Sequence, residues 1–208
     1  MIITVASFKG GVGKTTTALH LAACLAQRAP TVLIDGDPNE SALDWLRGLQ
    51  QAREDGYAAP FDVLPEAALA RATRSFEHIV IDSPARPNAD EMATLARYCD
   101  LLVVPSQPEM FSLRVMLKTA QELTAQAGNY KVLLTCVPPA PSRDGQDARN
   151  MLIGLNLPVF NSDIRLSAAF RHANAQNRLV RDVPHKAAKL AWMDYQRVGD
   201  EVMSAVQA

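Results

Sequence analysis

Short unbroken apolar runs alternate with amphipathic segments along most of this chain. Ile2-Ile3-Thr4-Val5-Ala6 comes first, then a glycine-rich stretch, then Thr15 to Arg28, where Leu19, Ala22, Ala23 and Ala26 recur at helical spacing. The alternation continues with Thr31-Val32-Leu33-Ile34-Asp35, a helix over Ser41 to Gln50, a short strand at Phe61-Asp62-Val63-Leu64 and a helix over Glu66 to Arg74. His78-Ile79-Val80-Ile81-Asp82, Leu101-Leu102-Val103-Val104 and Lys131-Val132-Leu133-Leu134-Thr135 are three further strands, the last two each preceded by a helical segment. Apolar runs without polar alternation belong to a sheet covered on both faces, and strand–helix alternation belongs to parallel crossovers. The pattern therefore predicts an α/β fold, a mostly parallel twisted sheet with helices on both faces. Lys186 to Val206 reads as one closing helix with Leu190, Met193, Val198, Val202 and Val206 inward. Gln51 to Pro60 and Pro138-Pro139-Ala140-Pro141-Ser142-Arg143-Asp144-Gly145 carry breakers without periodicity and read as loops.

At 208 residues and 48% apolar composition, residues 1–208 are expected to form a single domain with a substantial core. The formal net charge of −1 gives no global attraction to a polyanion, so any nucleic-acid contact must come from a local patch. Cys24, Cys99 and Cys136 are odd in number, far apart, and lie in or beside apolar runs, which predicts reduced thiols in a reducing, cytoplasmic compartment. No charged-then-apolar leader precedes the first strand, and no apolar run approaches the ~20 residues that cross a bilayer, so a soluble protein is expected. His20, His78, His172 and His185 form no metal-ligand spacing, and Trp45 and Trp192 read as packing residues.

The chemistry concentrates in Lys9-Gly10-Gly11-Val12-Gly13-Lys14-Thr15-Thr16, between the first strand and the first helix. The ordinary phosphate-loop pattern places a glycine at position eight, where Phe8 stands. Gly10, Gly11 and Gly13 still let the backbone turn its N–H groups toward phosphate oxygens, and the helix beginning near Lys14 adds its positive end. In such a P-loop NTPase Lys14 reaches the β- and γ-phosphates and Thr15 places its hydroxyl on Mg²⁺. Asp82, at the carboxyl end of a neighbouring strand, is the candidate acid for that metal. In Ile34-Asp35-Gly36-Asp37-Pro38 the paired acids either orient a water or the metal, or simply cap the turn before the next helix.

These motifs, in this order and spacing, resemble the deviant Walker A ATPases of the ParA/MinD type: Lys9 to Thr17, then Leu33-Ile34-Asp35-Gly36-Asp37-Pro38, then Ile79-Val80-Ile81-Asp82-Ser83-Pro84. The resemblance spans the chain. It implies that Lys9 crosses into a partner subunit and contacts its nucleotide, so that ATP glues a sandwich homodimer. It further implies that Asp37 positions the attacking water, that Asp35 supports the magnesium shell and that Asp82 is the Walker B acid. Gly10, Gly11, Val12, Gly13, Lys14, Thr15 and Thr16 would hold the nucleotide, with Pro138 beside the adenine. The cofactors implied are ATP and Mg²⁺, and hydrolysis would dissolve the dimer.

Within the family, the closing segment around Trp192 to Val202 carries acids rather than the cationic face of a MinD-like membrane tail, which points to the ParA-like branch and to no membrane contact. Arg165, Arg171, Arg178, Arg181, Lys186 and Lys189, against only Asp182, form a basic segment, either a solvated surface or a DNA contact. The resemblance favours nonspecific DNA, with Arg165, Arg171, Lys186 and Lys189 as contacts and a nucleoid-associated location. The chain starts at its first strand, so operator-binding autoregulation is not expected. Small ParA-like proteins serve plasmid partition in the style of ParF, or position protein cargo such as carboxysomes in the style of McdA. The wording of Ala6-Ser7-Phe8-Lys9, of Asp35-Gly36-Asp37-Pro38-Asn39 and of Ile81 to Pro87 is similar to the cargo-positioning group. Either style implies a ParB- or McdB-like adaptor that stimulates hydrolysis. The alternative is a nucleotide-dependent metabolic or electron-transfer enzyme, in which Cys99 and Cys136 would be the only pair available to an interfacial iron–sulfur cluster.

Overall fold

The computed structural model describes residues 1–51, 56–84, 87–109, 113–114, 116–117 and 129–207. Six strands form one sheet: β1 (Ile2–Val5), β2 (Thr31–Asp35), β3 (Asp62–Pro65), β4 (His78–Asp82), β5 (Leu101–Ser106) and β6 (Tyr130–Leu134). Their order is β3-β2-β4-β1-β5-β6 and every pairing is parallel. The α/β expectation from the apolar runs is thereby met. All of β2 and β5 is buried, as a sheet covered on both faces requires. The strand at Phe61 starts one residue later than its apolar run, since its pairing with β2 begins at Asp62 opposite Val32.

Among the described residues the helices with defined bounds are α1 (Lys14–Leu25), α2 (Ser41–Gln51), α3 (Leu69–Ser75), α4 (Ala89–Arg97), α5 (Asp144–Gly154), α6 (Ala168–Ala175) and α7 (Ala188–Gln207). A 3₁₀ turn over Glu66–Ala68 leads into α3, so the segment expected as one helix is split. The helical segment expected before β6 falls largely outside the described residues, as do 52–55 of the Gln51 loop and Ala85 and Arg86.

Helix α1 is buried from Thr17 to Leu25, lying between the sheet and α7. Its small and aliphatic residues suit that position, and Gly199 of α7 lets the helices approach until an added Cβ would lie 3.0 Å from the Cys24 Cβ. Of the expected inward set of the closing helix, Val198 and Val202 are buried and Val206 packs against the core, but Leu190 turns outward. Ala191, Trp192, Tyr195, Val198 and Val202 face the core, whereas Leu190 is 49% exposed. The reason is aromatic: Tyr195 stacks on His20 of α1 and its hydroxyl meets Thr17 Oγ1 at 3.1 Å, which fixes the rotation of α7.

Burial pushes the His20 imidazole down to about 4, against hydrogen bonding to the Thr16 carbonyl that raises it. Its folded value lies below the unfolded value near 6.5, so its contribution is intact above that pH and is lost as pH falls toward 4. Urea unfolding is expected to show on the order of 2 kcal/mol lost through this residue between pH 7 and 4.5. His20→Phe should show a correspondingly shallower pH dependence.

Candidate nucleotide site

Strand β1 delivers the chain to a loop whose geometry only glycine adopts without strain, since Gly11 and Gly13 have φ of 79° and 86°. Gly13 caps α1 with no side-chain hydrogen bond, and the first turn of α1 carries no acid, so its N–H groups and positive end remain available to an anion. The loop encloses a cavity of about 250 Å³ lined by Ser7, Lys9, Gly10, Gly11, Gly13, Lys14, Thr15, Thr16 and Asp37. Val12 turns its side chain into the core, so it can serve a nucleotide only through its backbone. Phe8 packs against the apolar cluster that includes Ala6, Val104, Leu113 and Met116, so the residue that replaces the usual glycine anchors the loop.

Two further anchors come from distant strands. Thr135 Oγ1 donates to the Val12 carbonyl at 2.8 Å, and Gln107 Nε2 donates to the Gly11 carbonyl at 3.2 Å. Neither residue stands out in the sequence; each simply follows or ends an apolar strand.

The Lys14 ammonium donates to Asp82 Oδ1 at 2.8 Å, to the Ser83 carbonyl at 2.5 Å and to Asp37 Oδ2 at 3.3 Å. The two acids are pushed in opposite directions. Burial raises Asp82, a shift only partly offset by Lys14 and the Thr15 hydroxyl. Burial also raises Asp37, but the Asn39 N–H, the Lys14 charge and the Asn39 amide outweigh it and hold the carboxyl below its usual value. Asp37 therefore stays ionised and oriented, with Oδ1 receiving both Asn39 donors at 2.9 and 3.0 Å.

Asp35 occupies the turn differently. Its Oδ2 accepts the Ala42 and Leu43 N–H groups, each at 2.9 Å, and its Oδ1 accepts the Asp37 N–H at 3.1 Å. Three backbone donors on one carboxylate make it a cap for α2 and a brace for Asp37, the geometry of a positioning group more than of a ligand. Gly36 donates to the Asp82 carbonyl at 2.8 Å, and a Cβ there would lie 3.1 Å from that oxygen, so a small residue is needed between the acids.

Asp82 is wholly buried and its Oδ2 has no hydrogen-bond partner among the described residues, a costly arrangement that fits a cation or its water beside Thr15. Pro138 lies on the loop after β6, past Thr135, and does not line the phosphate-side cavity. Lys9 sits at the cavity rim, 3.4 Å from Glu109, with its side chain 31% exposed.

The basic segment divides. Arg165 is spent on α7: its Nε and Nη2 donate to the two oxygens of Asp194, which is 4% exposed. The side chain, 39% exposed, thus has a structural partner beside its expected role as a DNA contact. Arg178 lies over the Tyr57 ring and Arg181 over the Trp192 ring. Arg171, Lys186 and Lys189 are exposed and carry no ion pair among the described residues. The acids of α7 find partners within the chain, Asp200 in an exposed pair with Arg28 and Glu201 accepting from the Asn161 and Ser162 N–H groups. No described helix is long and apolar enough to cross a membrane. The three cysteines are free, and burial pushes Cys24 up to about 12 and Cys99 up to about 11, which keeps both as thiols.

A glycine loop between β1 and α1, an internal lysine, and acids at the ends of β2 and β4 define an α/β P-loop nucleotide-binding protein. Residues 3–191 match the family described as the CobQ/CobB/MinD/ParA nucleotide binding domain, and the chain belongs to that family. The "Maintenance of carboxysome distribution protein A" of Gloeobacter kilaueensis is 32% identical over 208 residues, covering 97% of this chain and 93% of that protein. Among solved structures, an ATP complex of Cyanothece McdA has a TM-score of 0.72 at 19% identity, covering 99% of this chain and 96% of that one. MinD in the Aquifex aeolicus MinC:MinD complex has a TM-score of 0.74 at 18% identity, covering 98% and 96%. At these identities the structural likenesses establish the fold alone.

Proposed function

We propose that residues 1–208 form a single-domain ATPase that dimerises around ATP, binds DNA without sequence preference in that state, and positions a cargo. The likeness to carboxysome distribution proteins favours a protein assembly over a plasmid as that cargo, with an McdB- or ParB-like adaptor that stimulates hydrolysis and a cytoplasmic, nucleoid-associated location. The observation that carries this reading is the division of labour between two lysines. Lys14 points inward to Asp37 and Asp82, while Lys9 lines the rim of the cavity with its side chain 31% exposed, on the side from which the family resemblance would bring a partner subunit's nucleotide. A triphosphate carries more charge than one lysine and one metal offset, and a cation supplied by a partner couples assembly to ATP.

Thr15 and Asp82 would hold Mg²⁺, with Asp35 bracing the neighbouring turn; when bound, the ion neutralises charge on the phosphate oxygens. Asp37, held ionised below its usual range, is a weak base, so its part is to orient water rather than to remove its proton.

The direct test is Lys9→Ala. Nucleotide affinity should stay within about threefold, while the ATP-dependent dimer in analytical ultracentrifugation falls tenfold or more. A dimer fraction equal to wild type would remove the cross-subunit role.

For DNA, the triple change of Arg171, Lys186 and Lys189 to alanine should weaken anisotropy-detected binding and flatten its logarithmic salt dependence by about 0.9 for each phosphate no longer neutralised. Arg165→Ala should also act on stability, costing on the order of 1–2 kcal/mol by leaving the Asp194 carboxylate without its arginine while solvent reaches the site from the Arg165 side.

A further inference from the structure

His20 takes no part in the chemistry above, yet it is 1% exposed and satisfied at both nitrogens. Nε2 lies 3.0 Å from the Val180 backbone nitrogen, which can only donate, so Nε2 is the acceptor. The ring proton of the neutral imidazole is then on Nδ1, which donates to the Thr16 carbonyl at 2.7 Å. The ring is held by stacking on Tyr195 at 4.7 Å and by the edge of Phe170 at 5.5 Å. Tyr195 makes a parallel link through its hydroxyl to Thr17.

The two ends of this bridge differ in what they carry. Thr16 lines the phosphate cavity. Val180 opens the 3₁₀ turn Val180–Asp182 that joins α6 to the lead-in of α7, so along the chain it falls after Arg171 and before Lys186 and Lys189. Phe170, which touches the same ring, precedes Arg171 on α6. The first turn of α1 and the buried start of the 3₁₀ turn between α6 and α7 are therefore joined through His20 by hydrogen bonds of fixed direction, and a shift at Thr16 is passed to Val180 or leaves a polar group unpaired.

We propose that His20 is a positioning residue that transmits nucleotide occupancy at Thr16 to the α6–α7 basic segment and so makes DNA affinity depend on whether ATP or ADP is bound. The inference rests on the DNA-binding reading above for its output but not for its internal motion. Coupling between two sites of this kind is a free-energy difference that both ligands share, so it appears either as a nucleotide effect on DNA binding or as a DNA effect on nucleotide binding.

The test compares wild type with His20→Phe, which keeps the ring and its stacking and removes both hydrogen bonds. Amide hydrogen exchange over Val180 to Asp182 is followed with ADP and with a non-hydrolysable ATP analogue, alongside anisotropy on random-sequence DNA. In wild type the two nucleotides should give exchange rates differing by about fivefold or more at Val180, and the variant should lose that difference. ATP affinity should remain within about threefold, while the ATP-over-ADP preference for DNA falls about tenfold. An unchanged preference with an unchanged exchange difference overturns the proposal. If wild type binds no DNA with any nucleotide, the DNA reading fails, and the exchange comparison decides the role of His20: a nucleotide-dependent difference supports it and equal rates reject it. If His20→Phe does not fold, the wild-type exchange comparison decides in the same way.

Discussion

Lys14→Ala is expected to abolish nucleotide binding at concentrations that saturate the wild-type protein. Its ammonium lies within 3.3 Å of both Asp37 and Asp82, so its removal acts twice. The phosphates lose their internal cation, and they then face two carboxylates with no positive charge between them. At about 4 Å and an effective dielectric near 20, one such charge pair is worth about 4 kcal/mol, roughly a thousandfold in affinity. Calorimetric titration with ADP and with ATP would show this, and wild-type affinity in the variant would remove Lys14 from the phosphate site. Glutamine, which keeps a donor but no charge, should recover little.

Asp37→Ala should separate binding from turnover. The carboxylate is fixed by two donors from Asn39 and by the braced Asp35 turn, so alanine removes an oriented acceptor without disturbing the glycine loop. Phosphate release should fall by about a hundredfold, the lower end of what a positioned acid–base group contributes. Nucleotide affinity should hold or rise, since a negative charge leaves the cavity, and the ATP dimer should persist. Phosphate release at the wild-type rate would exclude Asp37 from the mechanism.

The strands are legible in the sequence because a parallel sheet buried on both faces writes itself as continuous apolar runs, as in Thr31 to Asp35 and Leu101 to Val104. Legibility fails where burial is partial or comes from distant partners. Helix α5 begins inside a breaker cluster, at Asp144 and Gly145, and only Gly145, Ala148 and Leu152 of it are buried. Gly145 is there for packing: a Cβ would lie 2.4 Å from Val137 Cγ1. The phase of α7 follows from Trp192 and Tyr195 meeting His20, a contact that no local period reveals.

Local motifs likewise point Lys14, Thr15, Asp37 and Asp82 to one place, because strand ends converge in this topology. The Arg165–Asp194 pair, the Thr135 anchor of Val12 and the three backbone donors on Asp35 depend on the folded arrangement. They set what holds Arg165 and which acid braces the other.

The central claim is that ATP switches this chain to a DNA-binding dimer. One anisotropy series on a random-sequence duplex, with ATP, with ADP and without nucleotide, at low and moderate salt, tests it most directly. Binding is expected with ATP alone, weakening steeply as salt rises. Equal binding in all three states, or none in any, would contradict it.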